Sequence, residues 1–130
     1  MPGLVKNTSI VSLNLGCNDI FGDEASESLF EKLLDHKSLV SLNLSNTNGL
    51  NRNRIGWNGC VGLSKLLGTN PVMQMINIAD NGVGNKGLKL LSKVKLLNLT
   101  YLNLENNNIT SKSLPYLKQL LGPESTLMDI

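Results

Sequence analysis

Apolar side chains recur at fixed intervals along this chain of 130 residues. An eleven-residue motif is apolar at its first, fourth, sixth and eleventh positions and has a small polar residue at its ninth. The motif is complete at residues 10–20, 73–83 and 99–109, and it begins again at Leu39 before an interruption. Alternation across positions four to six predicts a short strand with one buried face in each copy.

One short strand with its return helix is too small to bury an apolar face alone, so the copies are expected to stack and share a core. Each buried aliphatic side chain then contributes about 1.5–3 kcal/mol. Positions four and six would form two columns in a parallel sheet, one of Leu13, Leu42, Ile76 and Leu102 and one of Leu15, Leu44, Ile78 and Leu104.

The ninth position of the motif is asparagine in every copy, at Asn18, Asn53, Asn81 and Asn107. An amide carries two donors and an acceptor, so an asparagine buried at the bend after a strand can satisfy backbone groups that would be costly to leave unpaired. We therefore predict a structural role for these four residues.

A second pattern follows each motif and predicts an amphipathic helix. Each predicted helix has a small fourth residue, which is expected to let it lie close against the strand layer, and an apolar anchor four residues further on. The small residues are Ala25, Gly59, Gly87 and Ser113, and the anchors are Leu29, Leu63, Leu91 and Leu117.

On these motifs the chain resembles a leucine-rich repeat protein of the ribonuclease-inhibitor-like subclass, whose repeats are long enough to hold an outer helix. The resemblance implies an α/β fold, namely a right-handed α/β solenoid that forms part of a horseshoe, with a parallel sheet on the concave side and helices on the convex side. We expect a single domain over 1–130, with a partial helix at 1–9, repeats at 10–38, 39–72, 73–98 and 99–126, and a truncated repeat at 127–130. One scaffold serves many partners, so the resemblance indicates architecture rather than activity.

Composition narrows the function classes. A net charge of +2 is too small to indicate a nucleic-acid surface by itself. No stretch approaches the roughly 18 apolar residues of a membrane span, and no signal peptide precedes Leu4. The predictions are therefore cytoplasmic residence, with neither nucleic acid nor membrane as a partner. Cys17 and Cys60 fall on opposite sides of the predicted solenoid, too far apart for a disulfide.

Strand residues that do not enter the core are expected to project from the concave sheet as a candidate protein-binding surface. Asparagine occupies the fifth position of every copy, at Asn14, Asn43, Asn77 and Asn103. This row is either a polar strip that hydrogen-bonds to a partner or a ladder of amides that hydrogen-bond to one another. Asp80, Tyr101 and Glu105 belong to the same surface, and Tyr101 is its one member of the types that binding hot spots favour, Trp, Tyr and Arg.

Six extra residues interrupt the second copy, where its strand turns toward its helix. Asn48-Gly49 is a turn signal, so the insertion is predicted to project as a loop from the rim of the sheet. The loop and its flank hold a dense cluster of candidate binding residues, Leu50, Arg52, Arg54 and Trp57. Trp57 has an alternative interpretation, in which it seals the apolar columns at the base of the loop.

Charge is unevenly distributed along the chain. Acidic residues cluster in the first repeat, at Asp19, Asp23, Glu24, Glu27, Glu31 and Asp35. Lysines cluster on or after the third predicted helix, at Lys86, Lys89, Lys93 and Lys95. These clusters are either solvated helix faces or surfaces that attract an oppositely charged partner. Because neither end of the stack has an evident polar cap, homotypic stacking through the ends is also predicted as a possible interaction.

Nothing in the sequence indicates catalysis, a cofactor or a metal site. His36 is expected only to end a helix, and the glycines that spell GxGxxG over residues 82–87 are explained by the repeat. We therefore predict a non-enzymatic protein–protein interaction module that presents its concave strands and inserted loop. The alternative is a self-assembling segment of a longer leucine-rich repeat array, of receptor or GTPase-regulator type.

Overall fold

Four strands alternate with helices along the chain. The structure is a computed structural model that describes residues 3, 6–18, 20, 22–46, 53–123 and 125–128. The strands are β1 (Ser12–Asn14), β2 (Ser41–Asn43), β3 (Met75–Asn77) and β4 (Tyr101–Asn103). The helices are α1 (Gly22–Leu33), α2 (Gly56–Thr69), α3 (Gly84–Ser92) and α4 (Leu114–Leu120), and a 3₁₀ turn at Ser111–Ser113 precedes α4. Of the helices in these ranges, none has the length and apolar character needed to cross a bilayer.

The strands form one parallel sheet in the order β1-β2-β3-β4. The register pairs Leu13 with Leu42, Leu42 with Ile76, and Ile76 with Leu102, as the motif spacing predicts. Each strand therefore lies beside the next strand in sequence, with one helix in every crossover. This arrangement confirms the predicted α/β solenoid.

The core lies between the sheet and the helix layer. Column residues of the inner strands, such as Leu44 and Ile76, are fully buried, together with the helix anchors Leu63 and Leu91. Three of the four column residues of the outer units are only partly buried, namely Leu13, Leu15 and Leu104, whereas Leu102 is fully buried. Within the described chain an outer unit has a neighbouring unit on one side only, which explains the partial exposure of these three side chains.

The small residue in the first turn of α3, Gly87, has different neighbours from those expected. A Cβ placed on Gly87 would lie 2.5 Å from Val83 Cγ1, 3.1 Å from Cys60 Sγ and 3.4 Å from the Trp57 Cα. Cys60 and Trp57 belong to the adjacent helix α2, and Val83 directly precedes α3. For Gly87 the prediction of contact with the strand layer is therefore wrong, because its nearest neighbours are the residue before α3 and two residues of the adjacent helix.

The predicted asparagine row is buried in three of its four members, Asn53, Asn81 and Asn107. Asn53 Oδ1 accepts hydrogen bonds from the backbone N–H groups of Asn18 and Ile20, and its Nδ2 donates to the carbonyls of Leu15 and Leu44. Each buried asparagine thus joins its own unit to the preceding one. Asn18 is exposed instead, because the described chain contains no strand before β1 to which it could donate.

A second row of side-chain acceptors lies between the helices and the strands that follow them. Asn7 Oδ1 accepts from the Ile10 N–H (2.7 Å), and His36 Nδ1 accepts from the Leu39 N–H (3.1 Å). Asn70 Oδ1 accepts in the same way from Met73. His36 is buried, so its role extends beyond ending a helix, since it holds the backbone that enters β2.

Candidate functional site

The concave face of the sheet carries the asparagine row that the sequence predicts. Strand pairing places Asn14 beside Asn43, Asn43 beside Asn77, and Asn77 beside Asn103. Neighbouring strands are about 4.8 Å apart, so the row repeats at that spacing across the sheet. Asn14 is exposed and the other three side chains are partly buried. The row is therefore a regular polar strip with access to solvent.

Each amide oxygen in this row accepts a hydrogen bond from its own strand end. Asn14 Oδ1 accepts from the Gly16 N–H (2.9 Å), Asn43 Oδ1 from the Ser45 N–H (2.9 Å) and Asn77 Oδ1 from the Ala79 N–H (3.0 Å). Asn103 Oδ1 accepts likewise from Glu105. These are Asx turns, in which an asparagine oxygen satisfies the N–H two residues later. The interpretation that the amides hydrogen-bond one another is wrong.

The turns fix the orientation of the amides. Only an oxygen can accept from a backbone N–H, so the Nδ2 group of every asparagine in the row points away from that bond. Within the described residues, these four Nδ2 groups donate no hydrogen bond to the protein. The strip therefore presents a row of oriented donors.

The other concave candidates surround one end of this row. Tyr101 is partly buried and Glu105 is exposed. Asp80 is partly buried, has a left-handed backbone (φ +61°), and its N–H donates to the Glu105 carbonyl (2.8 Å). Met75, which pairs with Tyr101 in the register, is 43% exposed. Met75 adds apolar surface to the concave face and is not among the binding residues predicted from the sequence. Its strand position, which does not point into the core, could have identified it.

The edge of the sheet beside the insertion is described in part. Leu50 and Arg52 lie outside the described residues. Arg54 is exposed, and its backbone N–H donates to the Ile20 carbonyl (2.8 Å). A shallow cavity of about 320 Å³ brings Arg54 and Trp57 together, with Gly82 and Asn108 in its wall.

Trp57 lies near the start of α2 and is 42% exposed. The Lys86 Nζ lies over its ring, 3.3 Å from the centroid, which is a cation–π contact. Trp57 is therefore outside the buried core. The contact joins α2 and α3 at the surface, and much of the indole faces solvent.

The reactive side chains are few and dispersed. Burial raises the pKa of the Cys60 thiol to about 12, so the thiolate that nucleophilic chemistry needs is absent near neutral pH. Among the residues that the structure describes, no three His, Cys, Asp or Glu side chains are grouped as metal ligands. Gly82 and Gly84 have left-handed φ angles of +68° and +67°, and Gly84 begins α3. These glycines therefore shape the turn into the helix, in agreement with their assignment to the repeat.

Comparison with known proteins identifies the family. The model of the Leucine Rich repeat family matches residues 6–30, 69–92 and 95–117, which is more than half of the chain. A curated relative, NACHT, LRR and PYD domains-containing protein 12 of Mus musculus, is 32% identical over 130 residues. That match covers 98% of this chain and only 12% of the mouse protein. The chain belongs to the leucine-rich repeat family.

Two solved structures share the fold. The tropomodulin C-terminal domain of Caenorhabditis elegans matches with a TM-score of 0.80 at 18% identity, over 98% of this chain and 77% of that one. The structure titled Leiomodin-1 Actin-Binding Site 2 matches with a TM-score of 0.80 at 19% identity, over 98% of this chain and 73% of that one. At this level of identity the likeness concerns the fold alone.

Proposed function

We propose that this chain is a non-enzymatic module that binds a protein partner through the concave face of its sheet. The observation that carries the proposal is the row of four asparagine Nδ2 donors, which the Asx turns orient away from their own backbone. Peptide carbonyls and carboxylates are the acceptors that such a row fits. A partner that offers acceptors at strand spacing would meet several preoriented donors together, which lowers the entropic cost of binding.

The residues around the row supply the remaining contacts of a binding surface. Tyr101 and the exposed Met75 offer apolar area, and Asp80 and Glu105 offer charge at the strand ends. Interfaces typically combine a few large anchors with a polar surround. We assign Tyr101 the role of anchor, and we assign the asparagines the role of fixing the partner's register.

Arg54 and Trp57 form a second contact area in this proposal. They share the small cavity at the sheet edge, and cation–π contact with Lys86 immobilises the indole before a partner arrives. The predicted contributions of Leu50 and Arg52 extend this area along the inserted loop. Deleting residues 47–52 tests the loop: capture of the same partner proteins with unchanged affinity would remove it from the proposal.

The main experiment uses an isosteric substitution in the strip. Asn77→Asp keeps the oxygen that accepts from Ala79 but replaces the Nδ2 donor with a second, negatively charged oxygen. The matched control is Gln119→Glu, which makes the same chemical change on an exposed position of α4. Both variants are checked by circular dichroism, immobilised, and compared with the unmodified chain by quantitative affinity capture.

The expected result is a loss of at least about tenfold in captured partner for Asn77→Asp, because one hydrogen bond is removed and a repulsive charge is added. Gln119→Glu should retain the partner. Equal capture by both variants would contradict binding through the asparagine row.

A second candidate function is homotypic assembly, within a longer leucine-rich repeat array or between copies. Two observations favour it: the partial exposure of apolar column residues in the outer units, and the separation of exposed carboxylates on α1 from exposed lysines on α3. Light scattering over a wide concentration range tests this candidate. A constant monomer mass would exclude association between copies.

The subclass, the repeat boundaries and the cellular location of this chain are also part of the proposal. The mouse relative is a much longer protein, of which the chain spans 12%, so any activity of that whole protein is not assigned to this one. Assignment to the ribonuclease-inhibitor-like subclass rests on the outer helices, and the repeat boundaries and cytoplasmic residence stay predictions of the sequence.

A further inference from the structure

A groove runs between α1 and α2 on the outer, helical side of the molecule. It encloses about 340 Å³ and is bordered by Glu27, Glu31 and Leu34 on one side and by Trp57, Val61 and Lys65 on the other. All of these residues lie on or next to the two helices and none belongs to a strand. The groove is therefore separate from the concave surface.

The absence of a side chain at Gly62 keeps the groove open. A Cβ added there would lie 3.3 Å from Phe30 Cδ2 and 3.6 Å from the Glu27 Cα. The two helices thus approach closely at this turn of α2, and a larger residue would fill the space between them. Packing at Gly62 sets the depth of the groove.

Apolar surface lines the α2 side. Val61 is 56% exposed and Trp57 is 42% exposed. They are four residues apart, which places them on one face of the helix, and Leu34 adds partly buried apolar area opposite. Single exposed apolar residues are common, but this pair borders one concave space and can contact the same occupant.

Acidic side chains line the α1 side. Glu27 and Glu31 are both exposed and are also four residues apart, so their carboxylates lie about one helical turn, roughly 6 Å, from each other. Within the described part of the chain neither carboxylate forms an ion pair. Lys65 is the one cation among the described lining residues, and Lys86 of α3 contacts the ring of the wall residue Trp57. The groove therefore combines an apolar wall with a wall of two carboxylates that form no ion pair with the described residues.

We propose that this groove docks a basic, amphipathic helical segment of a partner protein. Two cationic side chains one turn apart would pair with Glu27 and Glu31, and an apolar side chain between them would contact Val61 and the edge of Trp57. At about 340 Å³ the space is at the small end of the range for ligand pockets, which fits one or two inserted side chains. Charge complementarity selects this occupant over an acidic or neutral helix.

The chain contains its own reporter for the test. Trp57 is the only tryptophan in the sequence and borders both the groove and the cavity beside Arg54, so its fluorescence reports on both spaces, and variants of the groove carboxylates identify the one that is occupied. The probe is a synthetic alanine-based helical peptide with two arginines four residues apart and a leucine between them, and its counterpart has glutamates in place of the arginines. Titrations at low ionic strength measure binding through Trp57 emission and, independently, by calorimetry.

Two double variants separate local pairing from overall charge. Glu27→Gln with Glu31→Gln removes the groove carboxylates, whereas Glu24→Gln with Asp35→Asn removes two exposed charges of the same helix region that do not line the groove. All four positions are exposed, so both variants are expected to fold. A change in emission on adding the arginine peptide is expected for the control variant and the unmodified chain.

The expected result is a saturable response to the arginine peptide and none to the glutamate peptide. The groove variant should bind about tenfold more weakly, and the control variant less than about twofold more weakly. Equal weakening in both variants would overturn the proposal in favour of nonspecific attraction, and so would calorimetric binding without a Trp57 response. A change in Trp57 emission that accompanies self-association in the absence of peptide would identify a second copy of the chain as the occupant. That result would also overturn the proposal. Asn77→Asp should leave this binding intact, so the outcome is independent of the concave surface.

Discussion

Replacing Asn107 with alanine isolates the stabilising role of the buried asparagine row. Asn107 is 2% exposed, and its Oδ1 accepts from the backbone N–H groups of Asn81 (2.8 Å) and Val83 (3.2 Å). Its Nδ2 donates to the carbonyls of Ile78 (2.9 Å) and Leu104 (3.0 Å). One side chain therefore connects the turn of its own unit to the strand and the turn of the preceding unit.

The magnitude follows from the groups left without partners. The N–H groups of Asn81 and Val83 are buried and would lose their acceptor, at a cost of about 1–3 kcal/mol each. Loss of a donor to the Ile78 and Leu104 carbonyls adds less, since a carbonyl is more often left partly satisfied. We expect Asn107→Ala to lower the free energy of unfolding by about 4 kcal/mol, a large part of the roughly 5–15 kcal/mol of a typical domain.

The matched control is Asn18→Ala, which changes the same residue at the same motif position in the first unit. Asn18 is exposed, and among the described residues its side chain makes one hydrogen bond, to the Gly16 carbonyl (2.9 Å). The expected loss is below about 0.5 kcal/mol. Urea unfolding followed by far-UV circular dichroism measures both values. Similar losses for the two variants, within about 1 kcal/mol, would refute the reasoning that burial between units gives these asparagines their weight.

Three further predictions concern other parts of the stack. His36→Asn should be nearly neutral, since asparagine supplies the acceptor for the Leu39 N–H, whereas His36→Ala should cost about 1–3 kcal/mol in urea unfolding. Gly87→Ala should cost about 1–3 kcal/mol, because the new Cβ would lie 2.5 Å from Val83 Cγ1, and thermal unfolding measures the loss. The pKa of the Cys60 thiol is about 12 in the folded chain against an ordinary 9.0, so the thiol of the unfolded chain ionises first as the pH rises. The free energy of unfolding should therefore fall between about pH 9 and about pH 12, by up to about 4 kcal/mol. Urea unfolding at a series of pH values measures this fall.

Each of these predictions has an internal control. Equal losses for the two His36 variants would contradict the acceptor role of the imidazole. Gly62→Ala also adds a methyl group to a helix but meets its nearest atom at 3.3 Å, so it should cost less than Gly87→Ala. A Cys60→Ala variant should lack the component of the alkaline decline that the thiol contributes. An unchanged decline would show that other groups cause it.

Periodicity alone predicts the sheet. The pairing of Leu42 with Ile76 follows from equivalent motif positions, because stacked units of one design place equivalent residues side by side. The motif could not predict that Asn18 is exposed, since Asn18 and the buried Asn107 occupy the same motif position. Its environment depends on the preceding unit, which the local pattern does not contain.

The motif predicts where the asparagine row lies on the sheet, but not the hydrogen bonds of its amides. The motif places Asn77 on the concave face, but the choice between an Asx turn and an amide ladder depends on side-chain torsions and on the Ala79 N–H. The groove between α1 and α2 depends on a close approach at Gly62, between segments more than thirty residues apart in sequence. Hydrophobic spacing within one unit carries no information on such a contact.

The side-chain amide resonances in a ¹⁵N correlation spectrum test the central claim most directly. On titration with a partner captured by the unmodified chain, the Nδ2 resonances of Asn43, Asn77 and Asn103 should shift together and saturate, while that of Gln119 on α4 stays in place. Shifts confined to the helical side, with the concave asparagine signals unmoved, would contradict binding through the strand surface.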